Sequence, residues 1–72
     1  EVNVETLNRF EDGTTVDAVA LVEAGVLKNI QDVVRILGNG ELTKKLTVVA
    51  NGFTKTAEEK ITAAGGKVEK LG

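Results

Sequence analysis

Phe53, Ala57, Ile61 and Ala64 recur at helical spacing and place one apolar stripe on the segment NGFTKTAEEKITAAGG, residues 51–66. A helix with one narrow apolar stripe is stable only when that stripe lies on another element, so the rest of the chain must supply a surface for it. Thr54 is placed to cap the helix by accepting from an otherwise unpaired amide. Thr56 with Glu59 would form a capping box if the helix began two residues later. Glu58 and Glu59 suit the positive end of the helix dipole. Gly65-Gly66 stops the helix, and Lys67 to Leu71 reads as a closing edge strand on which Lys70 discourages further strand addition.

Upstream, Val2 and Val4 alternate with Asn3 and Glu5 as in a half-buried strand. Thr6 is placed to cap a helical turn carrying Leu7 and Phe10, and Glu11-Asp12-Gly13 reads as a turn. Asp17 is the expected N-cap of a first helix, Ala18 to Ala24, with Val16 and Leu21 positioned as a hydrophobic staple and Gly25 as its stop. Between Val26 and Asp32, Leu27 and Ile30 would pin one irregular turn. VVRIL, residues 33–37, is almost continuously apolar and suits a strand covered on both faces, although a run this short fits a helix too. Gly38-Asn39-Gly40 breaks either element. Leu46 to Ala50 is a second strand, with Leu46 and Val48 on one face, and Asn51-Gly52 is a turn. Leu21, Ile36, Val48, Phe53 and Ile61 are the expected core. The order strand, helix, strand, strand, helix, strand gives an α/β chain with a layer of helix on a small sheet.

Seventy-two residues make one domain, residues 1–72. A chain of this length buries only about 60% of the surface its unfolded form exposes. With no cysteine, neither a disulfide nor a thiolate metal site can form, and with no histidine the commonest metal ligand is missing. No apolar run approaches the roughly 20 residues of a membrane-spanning helix. The net charge of −2 is unevenly spread. Residues 1–36 carry seven acids against three bases, and residues 37–72 carry four acids against six bases. A chain that gripped nucleic acid with its whole surface would be strongly basic.

Arg35 to Gly66 also carries a recognisable pattern. A basic residue leads Ile36, Leu37, Gly38, Gly40 and Leu42, followed by Leu46 and Val48, then Phe53-Thr54, Ala57, Ile61 and Gly65. In that spacing the chain resembles the C-terminal domain of the bacterial large-subunit ribosomal protein numbered fifteen. The resemblance spans nearly the whole sequence, with VNVETLNRFEDG also similar. It implies an irregular β-β-α superhelical arrangement, with two main helices packed on short strands. The start at Glu1 rather than methionine reads as a processed or truncated piece of a longer protein, and the resemblance implies that a basic, glycine-rich N-terminal segment supplies most of the charge for RNA. The sequence departs from the family where Asp17-Ala18 replaces Thr-Pro, where Val49 and Gly52 replace common lysines, and where Lys70 replaces an apolar residue.

Several kinds of chemistry can be weighed on the residues alone. Gly38-Asn39-Gly40 followed by Lys44-Lys45 invites a phosphate-loop reading. Such a loop, however, needs four residues between its glycines and a lysine that opens a helix. Here one residue separates the glycines and the lysines lead into a strand. Glu11-Asp12 and Glu58-Glu59 are explained by a turn and a helix start. Without histidine, cysteine, serine or tyrosine the usual nucleophile–base pairs cannot be built, so no catalytic residue, cofactor site, metal site or small-molecule substrate is expected. The only aromatics, Phe10 and Phe53, read as core rather than as base-stacking platforms. Any RNA contact should therefore be to backbone. The candidates are Lys44 and Lys45, with Arg35 and Lys55. The resemblance implies a non-enzymatic constituent of the large subunit in the cytoplasm, with ribosomal RNA and other large-subunit proteins as partners and no membrane. A small protein-interaction module using Val33–Leu37 or the edge strand, with no RNA role, is the alternative.

Overall fold

The computed structural model describes residues 1–71. Six short strands run β1 (Val2–Asn3), β2 (Thr15–Val16), β3 (Arg35–Leu37), β4 (Thr47–Ala50), β5 (Gly52–Phe53) and β6 (Lys67–Lys70). They form two sheets, ordered β1-β3-β5 and β2-β4-β6, and every pairing is parallel. Successive strands fall in alternate sheets, so the chain winds back and forth between them. Parallel neighbours need a crossover connection, and the helical segments and loops provide it. A 3₁₀ helix, Val4–Arg9, follows β1 directly. The helix α1 (Ala18–Glu23) packs against β2, and α2 (Lys55–Ala63) packs against β3 and β6. This is the α/β architecture expected from the sequence, although two sheets stand where one was read.

Both helices start and stop where local chemistry dictates. Asp17 accepts from the Ala20 amide at 2.9 Å, and Thr54 accepts from Ala57 at 3.1 Å. At the other end, Gly25 N–H donates to Val22 and Val26 N–H donates to Leu21. Gly65 and Gly66 repeat the pattern onto Thr62 and Ile61. These are paired Schellman closures, and each puts its glycine at positive φ (Gly25 at 78°, Gly65 at 89°). The alternative capping box on Thr56 is not formed, since the helix begins at Lys55, two residues before the start that box requires.

The core is one cluster built from all parts of the chain: Val2, Val4 and Leu7, then Val16 and Leu21, Val34 and Ile36, Leu42, Leu46, Val48 and Ala50, and finally Ala57 and Ile61. Register explains its layering. Val2, Ile36 and Phe53 lie in one cross-strand row, and Val16, Val48 and Val68 in another. Four of the five expected core residues are fully buried. Phe53 is half-buried, because it ends its row on the edge strand β5.

Other expectations need correction. The strand at residues 33–37 starts only at Arg35, and Val33 is 78% exposed. The Asn51 side chain takes the Val34 N–H at 2.8 Å, while Asn51 and Gly52 both donate to the Val34 carbonyl, so pairing begins beyond Val33. Ile30, expected to pin a turn, is 56% exposed, and only Leu27 of that pair packs on the core. Gly52, read as part of a turn, begins β5, and Thr15–Val16 is a strand that no periodicity announced. The first helical segment starts at Val4 with no side-chain cap, rather than after Thr6.

Candidate nucleic-acid interface

Lys44 and Lys45 lie in the connection from β3 to β4, and that connection is held almost residue by residue. Asn39 donates from its side chain to Asn3 Oδ1 at 3.0 Å. Lys60 Nζ donates to the Gly40 carbonyl and lies 3.9 Å from Glu41 Oε1. Asn8 grips both sides of the next turn. Its Nδ2 donates to the Glu41 carbonyl at 2.8 Å, and its Oδ1 accepts from Thr43 N–H at 2.9 Å. Asp12 Oδ1 accepts from Lys45 N–H at 2.8 Å, and Gly13 N–H donates to the Lys45 carbonyl at 2.7 Å. Leu42, 8% exposed, drives the middle of the loop into the core.

The loop is therefore a strapped one. The sequence suggests a segment that Gly40 and Thr43 leave free to project and that carries no core residue; the structure contradicts both points. Lys44 is half-buried and Lys45 exposed, each on a backbone fixed from at least one side. A preorganised cation loses less freedom on binding than one on a mobile loop. Asn8 and Asp12, which do the strapping, are ordinary turn and helix residues in sequence, and nothing in their spacing marks them. Truncating Asn8 to Ala removes the grip on Glu41 and Thr43 together. With each such bond worth about 1 kcal/mol net, amide exchange at Thr43 is expected to speed up by about tenfold or more, with little change in the α2 amides. Equal protection in the variant would show that Leu42 alone holds the loop.

The four candidate residues do not form one cluster. Lys45 runs beside the end of α2, where a Cβ on Gly65 would stand 3.7 Å from its Cγ and Cδ. Lys55 is exposed at the opposite end of that helix, about 13 Å away along its axis. Arg35 is exposed on β3 beside Gly52, whose missing side chain leaves room for the Arg35 stem at 3.9 Å. Arg35 and Lys55 thus bracket β5, while Lys44 and Lys45 stand at the start of β4.

Between the groups, Gly38 lies against the first turn of α2, where a Cβ would come within 2.6 Å of Thr56 Cβ and 2.8 Å of Ala57 N. Leu37, Gly38, Asn39, Thr54 and Thr56 line an open cleft of about 260 Å³ there. The Thr54 hydroxyl is already used as the cap. Among the described residues, no group of three or more acidic, histidine or cysteine side chains could hold a metal ion, and no helix is long and apolar enough to cross a membrane.

The sequence that carries these cations matches a known family. Residues 1–69 match the model for ribosomal proteins 50S-L15, 50S-L18e and 60S-L27A, which takes in both helices, both sheets but for the last residue of β6, and the strapped loop. That coverage agrees with a C-terminal domain of the L15 type. By this match the chain belongs to the ribosomal protein family of 50S-L15, 50S-L18e and 60S-L27A.

Proposed function

We infer that the chain is a structural, non-catalytic constituent of the large ribosomal subunit in the cytoplasm, which touches the ribosomal RNA backbone through Lys44 and Lys45 and meets neighbouring ribosomal proteins elsewhere. Family membership over residues 1–69 is the observation that carries the reading. The strapped loop supports its RNA half: two adjacent ammonium groups on a fixed backbone can meet phosphates as point charges, with no geometry for reading bases. Arg35 and Lys55 would make a separate contact across β5. Val33 and Leu71 are exposed apolar residues that supply surface for a protein neighbour.

The test is incorporation of the full-length protein into large subunits across a salt series. Lys44→Glu with Lys45→Glu should reduce occupancy and flatten its salt dependence, since each phosphate contact adds about 0.9 to the logarithmic salt slope on duplex and about 0.7 on single strands. Glu58→Gln with Glu59→Gln, two exposed carboxylates on α2, should change occupancy little. If the lysine variant assembles like the parent at every salt concentration, the loop does not touch RNA.

A further inference from the structure

Register, rather than sequence proximity, gathers a second set of polar side chains beside the lysine loop. In the β2-β4-β6 sheet, Thr15 pairs with Thr47 and Thr47 with Lys67. The next row, Val16, Val48 and Val68, packs into the core. Neighbouring residues on a strand point to opposite faces, so the row Thr15, Thr47, Lys67 faces outward. Thr15 and Lys67 are exposed, and Thr47 between them is half-buried. Lys45 precedes Thr47 by two residues, with its stem resting beside Gly65, and Gly65 is itself two residues before Lys67. Two lysines from distant parts of the chain therefore flank the α2–β6 turn, with two threonine hydroxyls next to them.

We propose that this outward face, Thr15, Thr47 and Lys67 together with Lys45, is a contact for the sugar–phosphate backbone of ribosomal RNA. The proposal rests on the reading of the Lys44-Lys45 loop and extends it onto the sheet. The chemistry is complementary: ammonium groups neutralise phosphate charge, and the hydroxyls donate to phosphate oxygens or exchange hydrogen bonds with 2′-hydroxyls. The acids near the face do not fill it. One Asp12 oxygen accepts from the Lys45 amide. Glu69 shares the Lys67 face but lies two rows further along, beside Val49. A phosphate is accordingly best placed between Lys45 and Lys67, at the end of the face away from Glu69. The row offers lysine as a flexible point charge for phosphate and has no aromatic ring on which a base could stack.

The experiment measures binding of the full-length protein to protein-free large-subunit ribosomal RNA as a function of salt, alongside incorporation into subunits. Lys67→Gln should lower the logarithmic salt slope by about 0.7–0.9, as Lys45→Gln should. Lys67→Arg should restore it. Thr15→Val with Thr47→Val keeps β-branched shape and should weaken binding at every salt concentration without changing the slope. Lys70→Gln, on the same strand but pointing to the other face, should leave the slope as in the parent. If Lys45→Gln lowers the slope while Lys67→Gln and the threonine variant behave like the parent, the sheet face is not an RNA contact and the loop reading stands alone. Should neither Lys67→Gln nor the combined Lys44→Gln and Lys45→Gln variant change the slope, both readings fall. If Lys67→Gln impairs incorporation but not RNA binding, the face is covered by a neighbouring protein and the proposal is overturned.

Discussion

Gly66→Ala is expected to destabilise the fold by about 3 kcal/mol or more, against a total of roughly 4–11 kcal/mol for a chain of this length. The reason is a close approach of backbone to backbone. A Cβ at position 66 would overlap the Leu46 carbonyl oxygen and come within 3.0 Å of Leu46 N. That carbonyl is not free to move. It accepts from Lys67 N–H at 2.9 Å, the bond that starts the β4–β6 pairing. A flexible side chain could rotate away from the added methyl, but a strand in the core cannot without giving up its register. The neighbouring glycine is a control with a different mechanism. Gly65 sits at a φ of 89° in open space, with only the Lys45 stem nearby, so Gly65→Ala carries the left-handed penalty of about 1–2 kcal/mol and no clash. Thermal unfolding of both variants separates the two effects. At about 4–8 °C per kcal/mol, Gly66→Ala should lose at least about 12 °C and Gly65→Ala distinctly less. A Gly66→Ala melt within a few degrees of the parent would mean that β4 and β6 are not held this closely.

That pair of glycines marks where sequence reasoning reaches and where it stops. Gly65-Gly66 is legible as a helix stop because the signal is local. The cap at Thr54, the stripe at Ala57 and Ile61 and the glycine stop all lie within one short segment, and each agrees with the others. The special role of Gly66 is not legible, since the atoms it must avoid belong to Leu46. The same division holds for the strands. Leu46 to Ala50 announces itself by its own pattern, whereas Thr15–Val16 and Gly52–Phe53 are two residues long and exist only through their parallel partners, Thr47–Val48 and Arg35–Ile36. A two-residue segment has no periodicity to detect. Val33 misleads in the opposite direction. Its apolar neighbours suggest a covered strand, but the Asn51 side chain takes the Val34 amide and the sheet starts after it.

The site divides along the same line. Lys44 and Lys45 are visible as the most compact basic cluster in the half of the chain where bases exceed acids. Their support is invisible, because Asn8 and Asp12 reach the loop across more than thirty residues of chain. Lys67 is legible as the start of the closing edge strand, whereas its place near Lys45 depends on which strand pairs with β6. Polar straps and cross-strand rows are properties of register, and parallel partners joined by long crossovers lie too far apart in sequence for a local motif to show which residues pair.

Ile61→Ala is the second change with a large expected effect, and its value lies in comparison with Phe53→Ala. On the helical stripe the two residues look equivalent. In the structure Ile61 is completely buried on α2, where its carbonyl also accepts the closing bond from Gly66, while Phe53 sits half-exposed at the end of its row on edge strand β5. Truncating a buried isoleucine removes its transfer free energy and leaves a cavity, together about 2–5 kcal/mol. With total stability of roughly 4–11 kcal/mol, the lower part of that range leaves a substantial unfolded population at 37 °C. Phe53 has more atoms to lose, but part of its ring is already in water and β5 has no strand beyond it to be left unsupported. Its truncation should therefore cost less than that of Ile61, despite the larger side chain. Urea denaturation of the two variants decides the order, with similar slopes and a lower midpoint for Ile61→Ala. If Phe53→Ala has the lower midpoint, β5 closes the core rather than bordering it, and the edge assigned to the first sheet is misplaced.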